Sequence, residues 1–134
     1  MLVWTLLFTL LSLLHAEYLS DGQDVGQYVQ DHIHGADVMV FAKSYCPFCK
    51  KARQLLQDLH EQQNQDAWTL YVIDLDLLGQ EDGPLIQMEL LEQTGQKTVP
   101  NIFIGGRHIG GNAELQTMHQ TGALQEELNS LSAA

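Results

Sequence analysis

Positive charge is scarce in this chain. Six Lys and Arg stand against 17 Asp and Glu in 134 residues, a formal net charge of −11. Such a surface has no basic patch to meet phosphates, which argues against nucleic acid and anionic membrane surfaces as partners. Cysteine is scarcer still, with Cys46 and Cys49 the only two. A structural zinc ion normally takes four ligands, and there is no second cysteine pair to complete such a site. A structural disulfide between cysteines this close would clamp too small a loop to stabilise a fold much. No apolar run reaches the roughly 20 residues of a comfortable membrane span. Repeats, linkers and low-complexity segments are also missing. What is left is one domain, large enough for a single hydrophobic core.

The longest apolar run is N-terminal. Met1 to Leu14 is interrupted only by Thr5, Thr9 and Ser12, and His15-Ala16 follows. It resembles the h-region of a secretory signal, with Leu14-His15-Ala16 as a cleavage site before Glu17. No Lys or Arg precedes it, so an uncleaved anchor stays open beside a cleaved signal peptide. The expected organisation is a signal peptide or anchor over 1–16 and one domain over 17–134. The expected location is the secretory pathway, in the endoplasmic reticulum or Golgi lumen, or outside the cell. All charged residues lie at or after Glu17, so the domain keeps the whole net charge.

The two cysteines stand in Cys46-Pro47-Phe48-Cys49. Before them Val38-Met39-Val40-Phe41-Ala42 reads as a short buried strand, and after them Ala52, Leu55, Leu56 and Leu59 recur at helical spacing. Pro47 suits an early helical position, where its missing N–H costs nothing. A strand that feeds Cys-x-x-Cys at a helix N-terminus is a thioredoxin-like redox arrangement. Unpaired N–H groups there, with about half a positive charge, favour thiolate over thiol. Cys46 is thereby the candidate nucleophile, and Cys49, within the first turn, the more buried thiol. The few cations gather nearby: Lys43, Lys50, Lys51 and Arg53 crowd the cysteines, Lys97 adjoins Thr98, and Arg107 sits near a glycine pair. A local positive site on an acidic chain suits an anionic ligand.

Elsewhere, Ser20 or Asp21 is expected to cap a first helix that turns Val25, Tyr28, Val29 and Ile33 inward and stops at Gly35. The cysteine helix is expected over 47–60, and Trp68 to Ile73 reads as a second buried strand. Gly83-Pro84 opens a third helix, with Leu85, Met88, Leu90 and Leu91 facing the core and Gly95 ending it. A strand over 99–104, a turn at Gly105-Gly106 and a strand at Arg107-His108-Ile109 form a hairpin. A helix from Asn112 to about Gln120, a break at Gly122 and an amphipathic turn with Leu124, Leu128 and Leu131 complete the chain. This succession is an α/β arrangement with a mixed sheet. His32 and His34 fall at a helix end, where imidazolium suits the dipole. His60, His108 and His119 fall on polar faces and carry no expected role, and no metal is expected.

Three segments together resemble a known family. Phe41 to Cys49, Gly95-Gln96-Lys97-Thr98-Val99-Pro100 and Gly110-Gly111-Asn112-Ala113-Glu114-Leu115 look like a dithiol glutaredoxin with a CPFC site. The likeness covers roughly residues 20 to 131. It implies the thioredoxin fold, a four-stranded mixed sheet flanked by helices. It also implies glutathione-dependent thiol–disulfide oxidoreduction, in which proteins are deglutathionylated and disulfides reduced. Cys46 would attack and Cys49 resolve, with glutathione as co-substrate, glutathionylated or disulfide-containing proteins as partners, and the chain acting as a monomer.

The same resemblance supplies the glutathione groove. Val99-Pro100 is cis in the family and turns the Val99 backbone toward the cysteines, where an extended peptide can pair with it. Thr98, Val99 and Pro100 form one wall. Gly110-Gly111 admits a close backbone approach, and Gly111, Asn112, Ala113 and Glu114 offer a helix N-terminus to the γ-glutamyl carboxylate. Lys43, Gln87 and Lys97 would hold the glycine carboxylate, and Tyr45 would shape the groove. The chain departs from pattern at Ala113, usually Ser or Asp, and at Glu114, usually Asp, so weaker glutathione affinity is expected. Two rival readings share the residues: a thiol oxidase or isomerase of the secretory pathway, and a dimer bridged by a [2Fe–2S] cluster. A redox-inert interaction module is disfavoured by the retained cysteines.

Overall fold

Burial along a single strand sets the architecture. Strand β1 (Val38–Ala42) is buried at all five positions. Its side chains alternate between two apolar clusters, with Val38, Val40 and Ala42 in one and Met39 and Phe41 in the other. A strand buried on both faces must lie inside a sheet that is covered on both sides. The computed structural model describes residues 17–79 and 81–132, and the expected signal or anchor over 1–16 lies outside them.

Strand β1 pairs in parallel with β2 (Leu70–Asp74), Val38 opposite Leu70. It pairs antiparallel with β3 (Asn101–Ile104), which pairs antiparallel with β4 (Arg107–Gly110). The order is β2-β1-β3-β4, one mixed four-stranded sheet. Helices α1 (Val25–Gly35) and α3 (Asp82–Thr94) cover one face. There Val29, Ile33, Ile86 and Leu90 meet Met39, Phe41 and Phe103, the two phenylalanines edge to face at 6.0 Å. Helices α2 (Pro47–Gln62), α4 (Asn112–Thr121) and α5 (Ala123–Ser132) cover the other. Ala52, Leu56, Leu115, Leu124 and Leu128 there pack on Val38, Val40, Ile102 and Ile104. This is the thioredoxin fold, with the elements in the expected succession.

Several boundaries move. Helix α1 is capped by Asp24, whose carboxylate accepts from the Gln27 N–H at 2.8 Å. Ser20 instead donates its N–H and hydroxyl to Asp82 at 2.8 and 2.6 Å, and the Asp21 carboxylate accepts from the Gln23 N–H. Strand β2 is a sheet edge rather than a buried strand, and Tyr71 on it is 53% exposed. Trp68 is buried just ahead of that strand, its indole N–H donating to Gln63 Oε1 at 2.7 Å. Strand β3 begins at Asn101, and the last amphipathic turn is a full helix.

The inward face of α3 is Gly83, Ile86 and Leu90. Leu85 and Leu91 are only partly buried and Met88 is exposed. Gly83 explains the rotation. A Cβ there would lie 2.4 Å from the Leu75 carbonyl oxygen, so the helix turns its bare glycine toward the 3-10 turn Leu75–Leu77. Ile86 and Leu90, three and seven residues on, follow onto that side.

Candidate active site

The C-terminal end of β1 delivers the chain to the N-terminus of α2, and Cys46 is the N-cap residue there. Its backbone is extended (φ −78°, ψ 120°), Pro47 follows at the first helical position, and Sγ accepts from the Cys49 N–H at 3.4 Å. Sulfur therefore takes the place of the usual capping oxygen. The thiol also points at the Val99 carbonyl, 3.8 Å away. Partial burial pulls the Cys46 pKa up. The Cys49 thiol, the N–H groups of Cys49 and Phe48 and the charge of Lys43 outweigh it, so Cys46 ionises below its ordinary value. Cys49 does the opposite. It is buried against Ala52 and Leu56 in the core, and that burial first of all pushes its thiol up to about 12. Both cysteines are free thiols. The pair thus holds one thiolate-prone sulfur at the surface and one protonated sulfur beneath it.

Two hollows flank Cys46. One, of about 360 Å³, lies between Phe48, the Thr98-Val99-Pro100 segment and Gly111 to Glu114 at the start of α4. The Val99–Pro100 peptide is cis. Gly110 has φ +123°, and a Cβ on it would come within 2.9 Å of Glu114 Cγ. Glu114 turns its carboxylate back to accept from the Gly111 N–H at 2.8 Å. The Glu114 and Gly111 N–H groups hold that carboxyl below the usual range. Ala113 is exposed and makes no cap.

The second hollow, of about 220 Å³, brings together Lys43, Tyr45, Asp76 and Gln87. Tyr45 is 66% exposed. The loop between β1 and α2 is anchored at Ser44, whose N–H donates to Asp76 Oδ1 at 2.8 Å and whose hydroxyl donates to the same carboxylate. Those bonds hold the Asp76 carboxyl below the usual range. Gln87 uses its amide N–H on the Lys97 carbonyl at 2.7 Å. Lys97 borders neither hollow and is exposed.

Besides the two cysteines, every residue expected at the site lines one of these two hollows except Lys97, which only its backbone ties to Gln87. Arg53 and Arg107 leave the expected positive patch. Arg53 pairs with Asp74 at 2.6 Å, and Arg107 pairs with Glu127 on α5. Two supporting residues carried no expected role. Gln96 donates its amide to the carbonyls of Thr98 and Pro100, at 3.0 and 2.9 Å, and so fixes both ends of the Val99 wall. His108 bonds through Nε2 to Asn101 Oδ1 at 2.9 Å, on the buried residue after Pro100. The available signal for Gln96 was its place inside the glycine-to-proline segment; for His108 there was none, since its partner lies across the hairpin. His60 is likewise engaged, Nε2 lying 2.9 Å from the Trp68 carbonyl.

A family model described as Glutaredoxin matches residues 38–109. Monothiol glutaredoxin-S6 of Oryza sativa subsp. japonica is 35% identical, over 90% of this chain and 86% of its own. Glutaredoxin-1 of Saccharomyces cerevisiae is 39% identical, over 83% of this chain and 96% of its own. Among solved structures, a buckwheat glutaredoxin–glutathione complex superposes with a TM-score of 0.71 at 36% identity, covering 81% of this chain and 91% of that one.

Proposed function

This chain belongs to the glutaredoxin family of glutathione-dependent thiol–disulfide oxidoreductases, and we propose that it removes glutathione from glutathionylated proteins through Cys46. The observation that carries the reading is the Cys46 sulfur at the helix N-cap, facing the Val99 carbonyl at the edge of the 360 Å³ groove. The Cys46 thiolate attacks the glutathione sulfur of the mixed disulfide. A new S–S bond joins Cys46 to glutathione, and the partner leaves as a thiolate that takes up a proton. A second glutathione thiolate then attacks the glutathione sulfur on Cys46. Oxidised glutathione leaves and the Cys46 thiolate returns. Where the disulfide lies within a partner protein, Cys46 attacks one of its sulfurs and the other leaves as a thiolate, after which Cys49 gives up its proton and attacks the Cys46 sulfur of that mixed disulfide. That step releases the partner and leaves a Cys46–Cys49 disulfide for glutathione to reduce.

The groove suits a short extended peptide. Val99 offers backbone groups along one wall, and the N-terminus of α4 at Asn112, Ala113 and Glu114 offers N–H groups to a carboxylate. The depressed Glu114 carboxyl remains charged near neutral pH and suits the ammonium of the γ-glutamyl residue. Lys43 and Gln87, which line the second hollow, suit the glycine carboxylate, with Lys97 joined to Gln87 through its backbone carbonyl, and Tyr45 walls the approach. Residues 1–16 direct the domain to the secretory route; the support is their sequence alone, and N-terminal sequencing of the exported protein tests it.

The deciding assay is glutathione-dependent turnover of a glutathionylated peptide by the parent and by Cys49→Ser. Substantial turnover by both supports the one-cysteine route. No turnover by either refutes the reading.

A further inference from the structure

Two lysines are left over once the site is described. Lys50 and Lys51 follow Cys49 directly on α2, and both are exposed. Among the described residues the ion pairs are those of the two arginines, Arg53 with Asp74 and Arg107 with Glu127, so neither lysine is held by a carboxylate of the fold. Lys43 is the cation whose charge acts on the Cys46 thiolate. The glutathione groove does not include Lys50 or Lys51. Helix geometry does not call for them either. The start of a helix favours negative charge, yet the first turn of α2 holds no acid and these two cations come next. In a chain of net charge −11, two cations close in sequence to the reactive sulfur and without an ion pair among the described residues need another purpose.

A groove runs from that point. It has a volume of about 540 Å³ and lies between α2 and α4, lined by Lys51, Gln54, Leu55, Gln116 and Gln120, with Asp58 at its far end. Asn112 lines both this groove and the glutathione groove, so the two adjoin at that residue. Lys51 Nζ sits 5.6 Å from the centre of the Phe48 ring, and Phe48 lines the glutathione groove. Lys50 is not in the lining but lies one helical turn before Gln54, which is. The walls are mostly side-chain amides, each able to donate and accept. Asp58 is engaged by the Gln54 amide at 2.8 Å, and Gln116 donates to Asn112 Oδ1 at 3.1 Å. A wall of amides suits the N–H and C=O groups of an extended polypeptide.

We propose that this groove docks the polypeptide flanking the partner's glutathionylated cysteine, and that Lys50 and Lys51 select segments carrying Asp or Glu beside that cysteine. The inference rests on the deglutathionylation reading for its context. Charge complementarity carries it: the rest of the surface is acidic and repels such a segment, which leaves the Cys46 rim as the attractive part.

The test uses the full chain and two labelled peptides matched in length, one with Asp and Glu flanking a central position and one with Asn and Gln there. With serine at that position, binding is read by fluorescence anisotropy without any turnover. The acidic peptide should bind about fivefold more tightly than the neutral one. Lys50→Gln/Lys51→Gln should abolish the difference, as should raising salt to about 0.5 M, where the screening length falls to a few ångström. With glutathionylated cysteine at that position, kcat/KM should show the same preference. Turnover of the mixed disulfide of glutathione and free cysteine should be unchanged in the double variant. Equal binding of the two peptides by the parent, or a preference that survives the double variant, overturns the proposal. Failure of the small mixed disulfide to turn over, with peptide selectivity intact, removes the deglutathionylation reading and leaves the docking groove.

Discussion

The two thiols should differ sharply in reactivity, and the structure sets a lower bound on the difference. The perturbation is limiting iodoacetamide at pH 7 on the reduced native protein. Cys46 ionises below the ordinary 9.0, and Cys49 is pushed up to about 12. At pH 7 the thiolate fraction of Cys46 therefore exceeds that of Cys49 by at least about a thousandfold. A less basic thiolate is a weaker nucleophile, with a Brønsted slope of about 0.4–0.5, which returns a factor of about 30. The net advantage of Cys46 is at least about 30-fold, before allowing for a Cys49 side chain only 1% exposed. Peptide mapping by mass spectrometry after a single hit reads the ratio directly. The rate at Cys46 should rise with pH, with a midpoint below 9. Labelling of both cysteines at similar rates, or a Cys46 midpoint at or above the ordinary value, would refute the assignment of nucleophile and buried partner.

Lys43→Gln removes a cation that favours the Cys46 thiolate, so the alkylation midpoint should move to higher pH, and an unmoved midpoint would take Lys43 out of the electrostatics. Gly110→Ala forces a side chain into φ +123° and against Glu114; a loss of about 1–3 kcal/mol is expected in urea denaturation, and an unchanged midpoint contradicts the close approach. Gln96→Ala frees the carbonyls of Thr98 and Pro100. Stability should fall by about 1–2 kcal/mol, and KM for glutathione should rise with kcat little changed. An equal fall in kcat with KM constant would place Gln96 elsewhere in the cycle.

Short-range pattern was enough where backbone chemistry is local. Pro47 at the first helical position, the glycines ending α3 and α4, and the apolar run of β1 are each determined by neighbours in sequence, and they stand where the sequence puts them. Packing of distant elements was not legible. The rotation of α3 depends on Gly83 meeting the Leu75 carbonyl, and periodicity alone admits Leu85, Met88 and Leu91 as well. Asp24 wins the cap of α1 because Asp82 engages Ser20 from 62 residues away. Arg53 and Arg107 look like site cations in sequence, but their partners Asp74 and Glu127 come from other elements. The groove residues were reached through a resemblance, because Val99 meets Cys46, and Glu114 joins Val99 in one hollow, only after the sheet has formed. Gln96 and His108 lie within the span of that resemblance but drew no role from it, since they act on backbone and on Asn101 rather than on the groove itself.

The spacing of the two cysteines follows from the helix that bears them. A residue at the N-cap has a side chain that reaches the N–H of the third helical residue, and here that third residue is Cys49. The donor that steadies a negative Cys46 therefore belongs to its own redox partner. From the third position, helical periodicity turns the next inward residues to Ala52 and Leu56, and Cys49 lies in line with them inside the core. One residue fewer or more would swing the second sulfur by about 100° around the axis, out of the core and away from the protonated state. The separation of the two acidities is thus set by backbone geometry. A second thiol at any other nearby spacing would give up either the burial that keeps it protonated or the contact that lets it reach Cys46.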